Sequence, residues 1–139
     1  MNMNDMVIIS VDDHISEPPE MFDKHLSGDD LASAPKLRTN ADGTNYWEYQ
    51  GMIMPSVGLN AVVGRPLEEY GMEPSSFEQL RKGVYDVHAR IDDMNVNGIA
   101  ASLNFGTCVG FDGGRFHKAA DKRKARIHMS AYNDWHIDE

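Results

Sequence analysis

The chain has 139 residues, of which 41% are hydrophobic and 25% are charged, and its formal net charge is −9. These values are typical of one globular domain, although the length falls well short of the roughly 250 residues of a complete β/α barrel. The negative charge disfavours nucleic acid and acidic membrane surfaces as partners, because both attract basic proteins.

The first predicted element is a buried strand at residues 7–11, where β-branched residues follow one another almost without interruption. The chain then turns at Ser16-Glu17-Pro18-Pro19. Proline suits the first turn of a helix, where its missing N–H needs no partner. The turn therefore predicts a short helix from Glu20 to about Leu26, and Glu17 is interpreted as orienting the turn.

Residues 27–75 predict a long insertion after the first strand, since Gly, Asp, Asn and Pro recur throughout this segment. An aromatic, strand-like run followed by Gln50-Gly51 and a second apolar run predicts one small hairpin near residues 45–54. Insertions of this length are uncommon unless they are functional or form a lid. Trp47 and Tyr49 are interpreted as cross-strand packing in the hairpin rather than as a platform for a substrate.

A short helix is predicted next, because Ser76 and Gln79 have capping-box spacing ahead of it.

Residues 84–105 predict a further helix that is followed directly by a strand. Apolar residues three and four apart then define an amphipathic helix, and Asn97-Gly98 predicts its end through a left-handed cap. The apolar run at residues 99–105 predicts a second buried strand.

A final helical pattern follows a glycine-rich loop, and one face of it carries four apolar residues: Ala120, Ile127, Ala131 and Trp135. The pattern reaches Glu139 without a glycine, proline or cap that would end it. The predicted order is strand, insertion, helix, strand, helix, which indicates a βαβ unit and a parallel sheet. Two parallel strands alone are a poor fold, because each needs neighbours on both sides.

Asp12 and His14 are the candidate metal ligands. Side chains alternate across a strand, so Ile8, Ser10, Asp12 and His14 are expected on one face and Asp13 on the other. A carboxylate and an imidazole at the carboxyl end of a strand can bind one divalent ion together. A capping aspartate beside a surface histidine is the simpler alternative.

The surrounding sequence resembles a known family. Asp12-Asp13-His14-Ile15-Ser16-Glu17-Pro18-Pro19 is similar to the Asp-x-His-x-x-Glu-Pro opening of the amidohydrolase branch typified by aminocarboxymuconate-semialdehyde decarboxylase. Three further blocks resemble the same amidohydrolase-related family: Gly58-Leu59-Asn60 with Arg65-Pro66, Ala89-Arg90-Ile91-Asp92-Asp93-Met94 through Asn97-Gly98-Ile99, and Ala131-Tyr132-Asn133-Asp134-Trp135. Four ordered blocks across most of the chain are more specific than any one of them.

The resemblance implies that residues 1–139 are the N-terminal part of a (β/α)8 TIM barrel, an α/β fold, with residues 27–75 inserted after the first strand. It implies one divalent ion, Zn²⁺ or Mn²⁺, at the barrel mouth. The ion would be held by Asp12 and His14 and by a histidine and an aspartate from strands beyond residue 139. Many members have a histidine at the position of Asp12. The catalytic acid or base is unknown, because it would also lie on the later strands.

The function that the resemblance implies is hydrolysis or decarboxylation of a small, often aromatic or unsaturated, carboxylic acid by the full-length protein. The metal would act as a Lewis acid or activate a water molecule. The choice between hydrolase and lyase stays open, and the isolated chain is expected to be inactive. Two alternatives are a catalytically inactive truncated fragment and a non-enzymatic α/β binding module. The full-length protein is expected to be a homo-oligomer that uses the insertion as its interface.

Weaker candidates lie elsewhere along the chain. Asn104, at the carboxyl end of the second strand, is a candidate for the pocket wall, with a plain turn residue as the alternative. Cys108 is expected to be a bystander thiol, since no activating histidine is identifiable. The Asp-x-His pattern at Asp86 and His88 carries no metal interpretation, because residues two apart on a helix do not share a face.

The cellular compartment is predicted from what the sequence lacks. A single cysteine cannot form an internal disulfide, and the N-terminus shows no signal-peptide pattern. No apolar run approaches the ~20 residues needed to cross a bilayer. These features predict a cytoplasmic protein without a membrane segment.

Overall fold

The computed structural model of the protein describes residues 5–58, 61–70, 75–110 and 113–139. The strands are β1 (Ile8–Ile15), β2 (Lys36–Thr39), β3 (Asn45–Tyr49), β4 (Met52–Met54) and β5 (Ile99–Gly106). The helices are α1 (Gly28–Ala32), α2 (Val87–Asn97), α3 (Gly114–Lys118) and α4 (Lys122–Asp138). Short 3₁₀ turns lie at Leu67–Glu69, Phe77–Gln79 and Lys82–Val84. Of the family-like blocks, Leu59 and Asn60 lie outside the described residues.

β1 and β5 pair in parallel, and α2 lies between them in the chain. The predicted βαβ unit and its mixed α/β class are therefore confirmed. The register is irregular, because Ser10 pairs with Ser102 while Asp13 pairs with Asn104, so that three steps along β1 match two along β5. The described strands form this pair and a separate three-stranded sheet, and they do not close a barrel.

The β1–β5 pair is largely exposed, which contradicts the prediction that both strands are buried. Ile9 is 58% exposed, Val11 67% and Leu103 55%. A two-stranded sheet gives each strand only one neighbour, and the described elements leave these apolar side chains uncovered. Apolar composition predicts the strands correctly, but it does not predict their exposure in this chain.

The insertion contains a three-stranded antiparallel sheet in the order β2–β3–β4. The hairpin predicted near residues 45–54 is present as β3 and β4, whereas β2 and α1 were not predicted. Trp47 and Tyr49 are almost fully buried, and Trp47 lies opposite Leu37 on β2 and Met54 on β4. The two aromatic rings therefore pack in the core, as the sequence pattern indicates.

Two short helices predicted from the sequence are wrong. In place of the helix predicted at residues 20–26, residues 19–25 form consecutive turns, in which N–H groups bond mainly to carbonyls three residues back rather than four. The helix predicted after Ser76 is reduced to the 3₁₀ turn Phe77–Gln79. The Gln79 side-chain oxygen accepts a hydrogen bond from the N–H of Ser75 (3.0 Å), so that the expected capping box does not form.

α2 begins at Val87, three residues later than its apolar stripe predicts. Asp86 caps the helix by accepting a hydrogen bond from the N–H of Ala89 (2.9 Å). Gly98 ends the helix with a φ of 68°, which lies in the left-handed region that favours glycine. The predicted C-terminal cap is confirmed.

The buried core lies between the insertion and α4 rather than at the β1–β5 pair. Its larger members are Met21, Phe22, Trp47, Tyr49, Met54, Phe116, Tyr132 and Trp135. α4 buries Ala131 and Trp135, as predicted, whereas Ala120 precedes the helix and is exposed. Within the described ranges, no helix has the length and apolar character needed to cross a membrane.

Gly106, the last residue of β5, tests this packing. A methyl group there would overlap the Tyr132 hydroxyl and the Glu17 carboxylate. We expect Gly106→Ala to lower the free energy of unfolding by about 3 kcal/mol, because both neighbours are held in the interior. Urea unfolding followed by circular dichroism measures the loss.

Gly43→Ala is the control for this measurement. Gly43 has a φ of +85°, but nothing lies within 4 Å of an added methyl group. Only the backbone strain remains, for which we expect a loss of about 1–2 kcal/mol. A smaller loss for Gly106→Ala than for Gly43→Ala would contradict the close approach at the end of β5.

Candidate metal centre

Asp12 and His14 lie together at the carboxyl end of β1, with Asp12 Oδ1 3.7 Å from His14 Nε2. Both side chains are accessible, with exposed fractions of 77% for Asp12 and 37% for His14. Two ligands of one tetrahedral ion, each bonded at about 2.1 Å, are about 3.4 Å apart. The separation of the pair is therefore close to one edge of the coordination shell of a zinc ion.

A third ligand does not join this pair among the described residues. The described ranges contain no group of three or more His, Cys, Asp and Glu side chains that could hold a metal ion. A catalytic zinc typically has three protein ligands. The two donors fit a divalent ion by their chemistry and spacing, but they supply fewer protein ligands than a catalytic zinc site has.

Asp13 lies on the side of the sheet that faces α2. It accepts hydrogen bonds from Ser10 Oγ (2.9 Å) and Ser102 Oγ, and its Oδ2 is 3.3 Å from Arg90 Nη2. Strict alternation places Ser10 with Asp12, and this expectation is wrong. The irregular register adds one residue to β1 between Ser10 and Asp13, which brings these two side chains to the same side.

The Asp13 carboxyl is ionised at neutral pH. Partial burial alone would raise its pKa, but hydrogen bonds from Ser102 and Ser10 and the charge of Arg90 oppose this effect. The net result is a pKa below the ordinary value of an aspartate. Asp13 and Arg90 thus form a half-buried ion pair between β1 and α2.

The Asn104 side chain lies on the side of the β1–β5 pair that faces α2 and Arg90. Its Oδ1 accepts a hydrogen bond from Arg90 Nη2 (2.8 Å) and lies 3.3 Å from Ser102 Oγ. Asn104 and Arg90 line a cavity of about 730 Å³ that extends between the beginning of α2 and the end of α4. Neither Asp12 nor His14 lines this cavity, so the structure brings the two candidate ligands together and leaves Asn104 apart from them.

Glu17 is fully buried and joins three elements. Its Oε2 accepts hydrogen bonds from the N–H groups of Thr107 (3.2 Å) and Cys108 (2.8 Å), and its Oε1 accepts one from the Tyr132 hydroxyl (3.0 Å). Burial raises the pKa of Glu17, although these hydrogen bonds oppose the shift. The sequence pattern indicates only a role in the turn, because partners 90 or more positions away leave no local signal.

Cys108 lies next to this carboxylate and is 1% exposed. Burial, together with the nearby charge of Glu17, raises the pKa of its thiol well above the ordinary value. A neutral, inaccessible thiol is a poor nucleophile. The second Asp-x-His pattern has a structural role instead, because the Asp86 carboxylate caps α2 by accepting a hydrogen bond from the backbone.

His128 is a buried residue whose role the sequence did not indicate. Its Nδ1 is 2.9 Å from the Tyr49 hydroxyl, and its Nε2 is 2.9 Å from the carbonyl oxygen of Asp30. A carbonyl oxygen only accepts, so Nε2 carries the proton and Nδ1 accepts from the tyrosine. Burial lowers the pKa of His128. The neutral ring joins α4 to β3 and α1 and has no nitrogen left for a metal.

The chain shares its fold with part of an amidohydrolase. A crystal structure of an amidohydrolase from Mycobacterium avium subsp. paratuberculosis K-10 matches it with a TM-score of 0.62 at 15% sequence identity. The match covers 94% of this chain and 37% of that one, so this chain spans less than half the length of its structural neighbour. Comparison with models of known protein families and with curated proteins gives no match.

Glu17→Gln tests the raised pKa of the buried carboxyl. A group with a raised pKa in the folded state contributes stability that is fully present below the unfolded value of 4.5 and is lost as the pH rises through the folded value. Relative to Glu17→Gln, we expect the unmodified protein to lose up to about 1.4 kcal/mol of unfolding free energy per pH unit above about pH 4.5.

Urea unfolding of both proteins from acidic to neutral pH measures this difference. Tyr132 and Cys108 do not contribute to the pH dependence, because the pKa values of both are raised and both stay neutral in this range. Parallel stability curves for the two proteins would show that the Glu17 pKa is not raised.

Proposed function

We propose that this chain is the N-terminal part of a metal-dependent enzyme related to the amidohydrolases, in which Asp12 and His14 bind one divalent ion at the mouth of a (β/α)8 barrel. The observation that carries the proposal is the pair of donor atoms 3.7 Å apart at the carboxyl end of β1. In β/α barrels, active sites lie at this end of the strands. The fold shared with part of an amidohydrolase supports the same assignment.

The remaining ligands, a histidine and an aspartate, are proposed to come from later strands of a longer protein. Two observations support this idea. The match covers 37% of the structural neighbour, and apolar side chains on the β1–β5 pair, among them Val11 and Leu103, are exposed in the described chain. Further parallel strands would cover such side chains and bring their own ligands to the same edge. The Asp12–Pro19 block supports the decarboxylase-like branch.

The metal would supply a Lewis acid or activate a water molecule. Asp12 would offset one positive charge of the ion, and His14 would bind as a neutral ring. An oxygen donor beside a nitrogen donor suits both Zn²⁺ and Mn²⁺. The proposed substrate is a small, aromatic or unsaturated carboxylic acid, and hydrolysis and decarboxylation are the two proposed reactions.

We also propose that the full-length protein is a cytoplasmic homo-oligomer. The free thiol of Cys108 is compatible with a reducing compartment. In the insertion, Leu67 is 78% exposed and Tyr70 53% exposed, and such apolar side chains suit a contact between copies. Trp47 and Tyr49 are buried and take no part in this surface.

Equilibrium dialysis with Zn²⁺ and Mn²⁺ tests the metal site. We expect the 139-residue chain to bind one ion weakly and to show no turnover, because affinity depends on several deprotonated ligands held in fixed geometry. A protein extended through the remaining strands is expected to bind tightly. Asp12→Ala or His14→Ala in the extended protein is expected to abolish that binding.

His88→Ala is the matched control. Asp86 and His88, at the beginning of α2, have the same Asp-x-His spacing as Asp12 and His14. We expect His88→Ala to leave metal affinity unchanged. A tight one-to-one complex of the short chain that survives both Asp12→Ala and His14→Ala would overturn the metal site. Turnover by the short chain would overturn the proposal that later strands complete it.

A further inference from the structure

A polar cluster lies on the side of β1 opposite the candidate ligands, and it consists of Ser10, Asp13, Arg90, Ser102 and Asn104. Arg90 is its centre, with Nη2 2.8 Å from Asn104 Oδ1 and 3.3 Å from Asp13 Oδ2. The second terminal nitrogen of Arg90, Nη1, donates a hydrogen bond to the backbone carbonyl of His14 (3.3 Å). One side chain from α2 thus contacts both the carboxylate before His14 and the backbone of His14 itself.

The polar cluster coincides with the irregular register of β1. The extra residue lies between Ser10 and Asp13, and Asp12 is part of that segment. Insertions of this kind redirect side chains and are common next to active sites. Because Ser10, Ser102 and Arg90 hold Asp13 on the α2 side, its neighbours Asp12 and His14 are directed to the other side, where their donor atoms meet.

We infer that Arg90 and Asp13 are positioning residues for the metal site, an inference that rests on the proposed function. The ion pair and the bond from Arg90 to the His14 carbonyl hold the end of β1 in the conformation that brings the two ligands together. The planar guanidinium suits this task, because it donates in several fixed directions at once. A lysine keeps the charge but cannot reach Asn104, Asp13 and the His14 carbonyl simultaneously.

Arg90→Lys in the 139-residue chain tests the inference, with Mn²⁺ alone as the probe. Paramagnetic broadening of backbone amide signals in NMR spectra detects binding even when it is weak. In the unmodified chain we expect broadening that is strongest at Asp12, His14 and the neighbouring Phe105. Residues that orient metal ligands typically change metal affinity by about 10–100-fold, so we expect Arg90→Lys to require about tenfold more Mn²⁺ for the same broadening.

Arg81→Lys is the matched control. Arg81 also pairs with a carboxylate: it donates two hydrogen bonds to Asp93 on α2, and neither residue is part of the polar cluster. Its replacement removes the same kind of interaction and is expected to leave the Mn²⁺ requirement unchanged. Thermal unfolding of each variant without metal separates a loss of positioning from a general loss of stability.

Asp13→Asn provides a second, milder change, because asparagine keeps the shape and loses the charge. It decides the question if Arg90→Lys does not fold, and we expect it also to raise the Mn²⁺ requirement. The double variant is expected to be no weaker than Arg90→Lys alone, since the two residues act as a unit. Additive losses in the double variant would show independent structural roles and contradict the inference.

The outcomes distinguish this inference from the proposed function. Absence of selective broadening at Asp12 and His14 in the unmodified chain would overturn the metal site and the positioning role together. Broadening that His14→Ala removes, but that Arg90→Lys and Asp13→Asn leave unchanged, would support the metal site and overturn the positioning role.

Discussion

The buried carboxylate of Glu17 holds together the parts of the chain that carry the candidate site. Its three hydrogen bonds join the end of β1 to the backbone after β5 and to Tyr132 on α4. Removing a carboxylate from water costs several kcal/mol, and each hydrogen bond to a charged group returns about 1.5–3 kcal/mol. The three donors therefore offset part of the cost of burial, while the pKa of Glu17 stays raised, and Gly106 leaves the space in which they approach.

Hydrogen bonds around Glu17 extend this junction to the insertion. The Ser16 N–H donates to the Val84 carbonyl (3.0 Å) and the Ser16 hydroxyl to the Val57 carbonyl (2.6 Å). Val57 of the insertion thus contacts the residue that directly follows β1. The two sides of that strand end then differ in chemistry: the charge of Asp13 is balanced by Arg90, whereas Asp12 is exposed beside His14. Adjacent aspartates thus have different surroundings, as the proposed roles require.

Local signals in the sequence account for the elements that were predicted correctly. The apolar run at residues 99–105 and the Asn97-Gly98 cap depend on neighbouring residues, so periodicity reveals them. The register of β1 could not be predicted, because it depends on Ser102 and Arg90, which are distant in the chain. The burial of Glu17 and the exposure of the β1–β5 pair likewise depend on which distant segments come to cover them. The Asp12–His14 pair was predictable because both donors lie within one strand.

We propose that Asp12 and His14 bind the same divalent ion. Crystals of the protein soaked in Mn²⁺ and measured with anomalous scattering test it most directly. We expect one anomalous peak within about 2.0–2.3 Å of both Asp12 Oδ1 and His14 Nε2. A peak bound elsewhere in the molecule, with this pair unoccupied in the same crystal, would contradict the claim.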